Sequence, residues 1–128
     1  MIDKRPIETK NAPQAIGPYS QGIVTNGFLF CSGQIPLDPG TGEIVRGGIE
    51  AEARQVLENV KNLLRAAGSD FPQVVKSTIF LTDLGHFAKV NEIYGTYFTK
   101  PYPARSTIQV AALPRGAAIE IEVIAQVL

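Results

Sequence analysis

YSQGIVTNGFLFCSG, residues 19–33, is the stretch that decides the fold. Two short runs rich in β-branched and aromatic residues, Tyr19–Thr25 and Phe28–Gly33, flank the dipeptide Asn26-Gly27. Both turn residues tolerate positive φ, so the pair closes a two-residue hairpin whose twist matches that of its strands. The ordered part of the chain therefore begins as antiparallel sheet. On its N-terminal side, residues 1–18 are polar and broken by Pro6, Pro13, Gly17 and Pro18, which reads as an extended arm.

Beyond the hairpin, residues 36–48 are rich in turn formers and read as a loop. Ile49, Ala53, Val56, Leu57, Val60, Leu64 and Ala67 then recur at spacings of three and four, the mark of an amphipathic helix. Glu50 and Glu52 suit its positive end and Gly68 stops it. Val74–Leu81 is apolar and β-branched, a largely buried strand. Asp83 can cap a second helix with Phe87, Val90, Tyr94 and Phe98 on its inner face. Strands at about 105–112 and 119–127 complete an α+β order, β-β-α-β-α-β-β, with two helices on one face of a mixed sheet. The other sheet face is left bare. Ile108, Val110, Ile121, Val123 and Ala125 suggest apolar content on an exposed side, which predicts self-association.

At 128 residues, 45% hydrophobic and 19% charged, the chain is expected to form one domain spanning 1–128. Twelve basic and twelve acidic residues cancel, which removes the long-range attraction that nucleic-acid binders use, so nucleic acid is not the expected partner. A single cysteine, Cys31, permits no intrachain disulfide, and a single histidine, His86, supports no His-rich metal site. Cys31 reads as a small packed residue and His86 as a solvated one. No apolar run serves as a signal peptide or a membrane span, and the expected location is cytoplasmic. Gly40, Gly42, Gly47 and Gly48 are turn glycines without the Lys-Ser/Thr of a phosphate-binding loop.

Two fixed charges stand in strand-like segments: Arg105 in PARST (103–107) and Glu120 in IEIE (119–122). An arginine fork matches a carboxylate and stays charged; a glutamate can move protons. Alternation puts Glu120, Glu122 and Ile124 on one face and Ile119, Ile121 and Val123 on the other, a pattern that a solvated strand face also explains. Arg105 is equally consistent with a surface position. Tyr19, after the rigid Gly17-Pro18 turn, could present its hydroxyl or half-bury its ring. Ser32 and Gly33 allow close approach of a ligand to backbone N–H groups, though turn chemistry accounts for them too. If the last two strands formed a simple hairpin across Pro114–Ala117, Arg105 would face Gln126, and Glu120 would lie on the order of 20 Å away. Cooperation would require another strand pairing or a second subunit.

Several separated segments stand in the order and spacing of one family: Ala12-Pro13, Ile16-Gly17-Pro18-Tyr19-Ser20-Gln21, Ser32-Gly33-Gln34-Ile35-Pro36, Asn59-Val60-Lys61, Ala66-Ala67-Gly68, Val90-Asn91, Pro103-Ala104-Arg105-Ser106 and Ile119-Glu120-Ile121-Glu122. Over essentially its whole length the chain resembles the RidA (YjgF) family. The resemblance implies a chorismate-mutase-like fold, a homotrimer with sites in the clefts between subunits, and hydrolysis of 2-imino acids to 2-keto acids and ammonia without a cofactor or metal. It implies that Arg105 binds the substrate carboxylate, that Glu120 activates water, and that Tyr19, Ser32 and Gly33 line the pocket. Archetypal deaminases of the family often carry cysteine where this chain has Thr107, so a thiol role is removed while a backbone carbonyl at 107 survives. The resemblance also admits a small-carboxylate-binding, regulatory or chaperone-like role without turnover.

Overall fold

Asn26 and Gly27 adopt φ of 50° and 77°, as a tight hairpin turn demands. They join β2 (Gly22–Thr25) to β3 (Phe28–Cys31) in antiparallel register, Val24 opposite Leu29. The computed structural model describes residues 3–127, so the first two residues of the expected arm lie outside it. The arm contains a strand that the sequence reading did not include. β1 (Arg5–Ile7) pairs antiparallel with β2, making the order β-β-β-α-β-α-β-β. Three residues with a central proline carry no readable alternation, and Pro6 fits there because β1 is an edge.

The helix expected from the periodic apolar residues is α1 (Gly48–Ala66), with Ala53, Val56, Leu57, Val60, Leu63 and Leu64 buried. β4 (Val74–Leu81) follows. The Asp83 side chain accepts from the Gly85 N–H at 2.8 Å and caps a short 3₁₀ turn, Leu84–His86, which leads into α2 (Phe87–Tyr94). Phe98 is buried as expected but lies beyond the helix end, stacked on Tyr94 at 4.2 Å between ring centroids. Both helices join one continuous core with the sheet face formed by Leu29, Val74, Ile79, Leu81, Ile119, Ile121 and Val123. No helix among the described residues is long and apolar enough to cross a membrane.

β5 (Ala104–Gln109) and β6 (Ile119–Gln126) do not form the simple hairpin considered above. The sheet order is β1-β2-β3-β6-β4-β5, with β4 between the last two strands. β5 runs parallel to β4 after the α2 crossover, whereas β6 lies antiparallel to both β3 and β4. The side chains explain the choice. β6 alternates buried and more exposed residues along its length and has Ile119, Ile121, Val123 and Ala125 to bury, which suits a central strand. β5 reads Ala-Arg-Ser-Thr-Ile-Gln, polar enough for an edge.

Register then assigns faces. Arg105 aligns with Ser77 and Val123 on the helix-covered side, while Glu120 aligns with Phe80 and Ile108 on the open side. The expectation that Ile121, Val123 and Ala125 might leave apolar surface uncovered is corrected: all three are buried under the helices. The open face instead exposes Phe28, Phe30 and Ile108, with Ile23 and Ile124 flanking Phe30 and Phe80 beside Ile108.

One buried amide ties the loop after β3 to α1. Asn59, 0% exposed, donates from Nδ2 to the carbonyls of Ile35 (3.2 Å) and Leu37 (2.9 Å), and its Oδ1 accepts from Gln55 at 2.9 Å. Asn59→Ala leaves buried carbonyls without a donor, and stability should fall by about 1–3 kcal/mol in urea unfolding. A midpoint equal to that of the unaltered protein would contradict this role.

Candidate functional site

Gly33 and Glu120 are in contact where the chain leaving β3 runs beside the start of β6. The Gln34 N–H donates to the Ile121 carbonyl at 2.8 Å, and the Ile121 N–H returns a bond to the Gln34 carbonyl at 3.1 Å. This bridge lays the Glu120 side chain over the Gly33 Cα. A Cβ at position 33 would stand 2.7 Å from the Glu120 carboxyl carbon, so only glycine leaves the carboxyl room there.

The carboxyl faces a cavity of about 500 Å³ on the open side of the sheet. Ser32, Gly33, Ile35 and Leu37 form one wall, Pro13, Ile16 and Tyr19 from the arm form the other, and Arg115 stands at the end. Ser32 is already committed, its hydroxyl donating to the Ser20 carbonyl at 2.5 Å. Tyr19 is 53% exposed, and its hydroxyl accepts from the Ile16 N–H at 3.3 Å. Tyr19, Ser32, Gly33 and Glu120 thus line one cavity.

Half-burial pushes the Glu120 carboxyl above the usual glutamate range, and the charge of Glu122 on the same strand pushes in the same direction. A carboxyl with that bias holds and releases protons closer to neutral pH than an exposed one.

Arg105 and Thr107 lie elsewhere. Arg105 is three residue rows and two strand spacings from Glu120, roughly 14 Å at usual sheet dimensions, and on the opposite face. Its Nη1 donates to Asn91 Oδ1 at 2.8 Å, and its guanidinium carbon sits 4.9 Å from the Tyr94 ring centroid and 5.5 Å from that of Phe87. Two aromatic faces and one amide hold this cation in a fixed attitude. Among the described residues it makes no ion pair within 4.0 Å. A second cavity of about 480 Å³ opens beside it, lined by Asn91, Tyr94, Tyr102 and Pro103. Tyr94 is fixed in turn by its hydroxyl, 2.7 Å from that of Ser77. Thr107, level with Ile79, shares this edge strand. The Val110 N–H donates to the Leu81 carbonyl, so by alternation the N–H and C=O of Arg105 and Thr107 point to the free edge of the sheet.

Cys31 is buried, and burial pushes its thiol up to about 12, which keeps it an unreactive packing residue. His86 ends the 3₁₀ turn before α2 and is half-exposed, away from both cavities. No group of three His, Cys, Asp or Glu residues able to hold a metal ion occurs among the described residues. Sequence reasoning missed Asn59, Gln21, Asn91 and Tyr94 as supports of the site. Asn59, Gln21 and Asn91 stood inside the motifs quoted above, but as residue types they gave no sign of what they hold.

Comparisons with known proteins agree with this fold. The family described as Endoribonuclease L-PSP matches residues 9–127. Protein DfrA of Myxococcus xanthus is 56% identical over 124 residues, 95% of each chain. The mouse protein named 2-iminobutanoate/2-iminopropanoate deaminase is 52% identical over 124 residues, 97% of this chain and 92% of its own. A crystal structure from Yersinia pestis, YyfA of the conserved Rid protein family, superposes with a TM-score of 0.95 at 54% identity, covering 98% of this chain and all of the other.

The raised Glu120 titration has a consequence for stability. Where the folded pKa of an acid exceeds the unfolded one, the folded state binds more protons between the two values, and stability falls as pH rises through that window. Glu120→Gln should therefore be more stable than the unaltered protein at neutral pH, with the difference vanishing below the ordinary glutamate range. Thermal melts across pH check this; a variant less stable at neutral pH would contradict it.

Proposed function

The chain belongs to the RidA family, and from that premise we propose that it is a hydrolytic deaminase converting reactive 2-imino and enamine acids, such as 2-iminobutanoate and 2-iminopropanoate, to 2-keto acids and ammonia. The observation that carries the reading is Glu120, a half-buried carboxyl biased toward protonation and held over a glycine floor in an open-mouthed cavity. The mouse relative's name supports the substrate class.

In this reading the substrate carboxylate is held by Arg105. Pre-oriented and without an acidic partner among the described residues, the guanidinium has N–H groups to spare for a bidentate bond. Because Arg105 and Glu120 face opposite ways in one chain, the Arg105 that serves a given Glu120 comes from a neighbouring copy in a homotrimer. The exposed Phe28, Phe30 and Ile108 supply apolar surface for that association. Glu120 takes a proton from water as its oxygen attacks C2 of the iminium. The proton passes to the nitrogen of the resulting carbinolamine, and the C–N bond breaks as Glu120 takes the carbinolamine hydroxyl proton; the C2 carbonyl forms and ammonia leaves, carrying that proton away as ammonium. An iminium carbon is already electrophilic, so neither a covalent nucleophile nor a cofactor is called for. Tyr19 closes the mouth, Ser32 and Gly33 shape the wall, and the outward-facing backbone of Thr107 is available to the substrate nitrogen. The cytoplasm, where dehydratases release such imines, is the proposed setting.

A second reading, a small-carboxylate-binding regulatory protein, draws on Arg105 alone, since a keto acid offers the same carboxylate as an imine. It predicts tight keto-acid binding without turnover. The ribonuclease suggested by the family's description finds no support in a net charge of zero.

The deciding assay generates 2-iminobutanoate with a threonine dehydratase and follows imine decay. The protein should accelerate decay, Arg105→Ala and Glu120→Gln should each lower kcat/KM by about 100-fold or more, and the acid limb of the rate profile should lie above the ordinary glutamate range. No acceleration by the unaltered protein would sink the reading.

A further inference from the structure

Gln21 is 4% exposed, and its amide is bonded to the arm at every useful position. Oε1 accepts from the Thr9 N–H at 2.8 Å. Nε2 donates to the carbonyls of Pro13 (2.7 Å), Thr9 (3.0 Å) and, more weakly, Ala12 (3.3 Å). The orientation is fixed by its surroundings, because a flipped amide would set its oxygen against three carbonyls. β1 ends at Ile7 and β2 begins at Gly22, so the backbone groups of Thr9, Ala12 and Pro13 lie outside the ladder formed by those strands. One side chain stands in for a strand partner there.

The same residue also reaches the opposite side of the cavity. Its main-chain carbonyl accepts from the Ser32 N–H at 2.9 Å, next to the Gly33 that seats Glu120. Gln21 thus joins the arm wall, which carries Pro13 and Ile16, to the wall that carries Ser32 and Gly33. We propose that Gln21 is a positioning residue for Glu120: it holds the arm across the cavity mouth and so fixes how much water reaches the carboxyl. Resting on the deaminase reading for its catalytic meaning, the assignment concerns geometry that exists without substrate. The charged and titratable groups around Glu120 are Glu122 on its own strand, Arg115 at the end of the cavity and Tyr19 on the arm side. Gln21→Met alters none of them, keeps the length of the side chain and removes every bond to the arm.

The test is a ¹³C NMR titration of the Glu120 carboxyl in the substrate-free protein, with circular dichroism to establish folding. In Gln21→Met the midpoint should drop toward the ordinary glutamate value, while Glu120→Gln identifies the resonance. kcat should fall at least about tenfold, with a smaller change in KM. Gln21→Asn, one methylene too short to reach Pro13, should move both quantities in the same directions and decides the matter if the methionine variant does not fold. An unmoved Glu120 titration in either folded variant would overturn the assignment. Failure of both variants to fold would overturn it too, making Gln21 a folding residue. If the titration moves but the unaltered protein hydrolyses no imine, the positioning role stands and the deaminase reading fails.

Discussion

One constraint governs the placement of both charged groups, the two-residue period of the sheet across β5, β4 and β6. Ser77 carries Arg105 on one side and Val123 on the other, and all three side chains point to the helices; Phe80 carries Ile108 and Glu120, which point away. No rotamer change brings a guanidinium and a carboxylate together through a hydrogen-bonded strand. A chain that needs both groups at one substrate must therefore take one of them from another copy. The same register that buries Ile119, Ile121 and Val123 leaves Phe28, Phe30 and Ile108 on the open face, the apolar surface on which the proposed homotrimer draws.

Two cavities follow from this division, and each holds one of the two charged groups that the proposed chemistry uses. The carboxyl is biased by partial burial and by Glu122, whereas the guanidinium is stacked on aromatic rings and bonded to an amide. Two buried amides fix irregular backbone: Asn59 ties down the loop after β3 and Gln21 the arm. The exposed amide of Asn91 steadies the Arg105 side chain. Walls built from loops would otherwise be among the least constrained parts of a small domain.

Much of the fold was legible because local patterns and tertiary roles agree. Asn26-Gly27 needed positive φ at two successive residues, and the spacing from Ile49 to Ala67 had no other economical reading. The alternation Ile119-Glu120-Ile121-Glu122 placed both glutamates on one face correctly. Strand partners were not legible, since antiparallel neighbours in sequence ordinarily pair, and nothing local to Arg105 or Gln126 reveals that β4 intervenes. β1 escaped because three residues around Pro6 show no period. Glu120, Tyr19, Ser32 and Gly33 could be gathered from motifs, but the support given by Gln21 and Asn59 could not: a buried amide looks like a surface one until its partners, 8 to 24 residues away, are known.

The most direct test of the shared site mixes two defective variants. Arg105→Ala and Glu120→Gln proteins, each inactive alone, are unfolded together in equal amounts and refolded, and hydrolysis of 2-iminobutanoate is measured. In a closed ring with each site at an interface, roughly a quarter of the sites should regain both groups, and activity should return to about that fraction. A mixture as inactive as its components would contradict the account, because it would place both groups of every working site in a single chain.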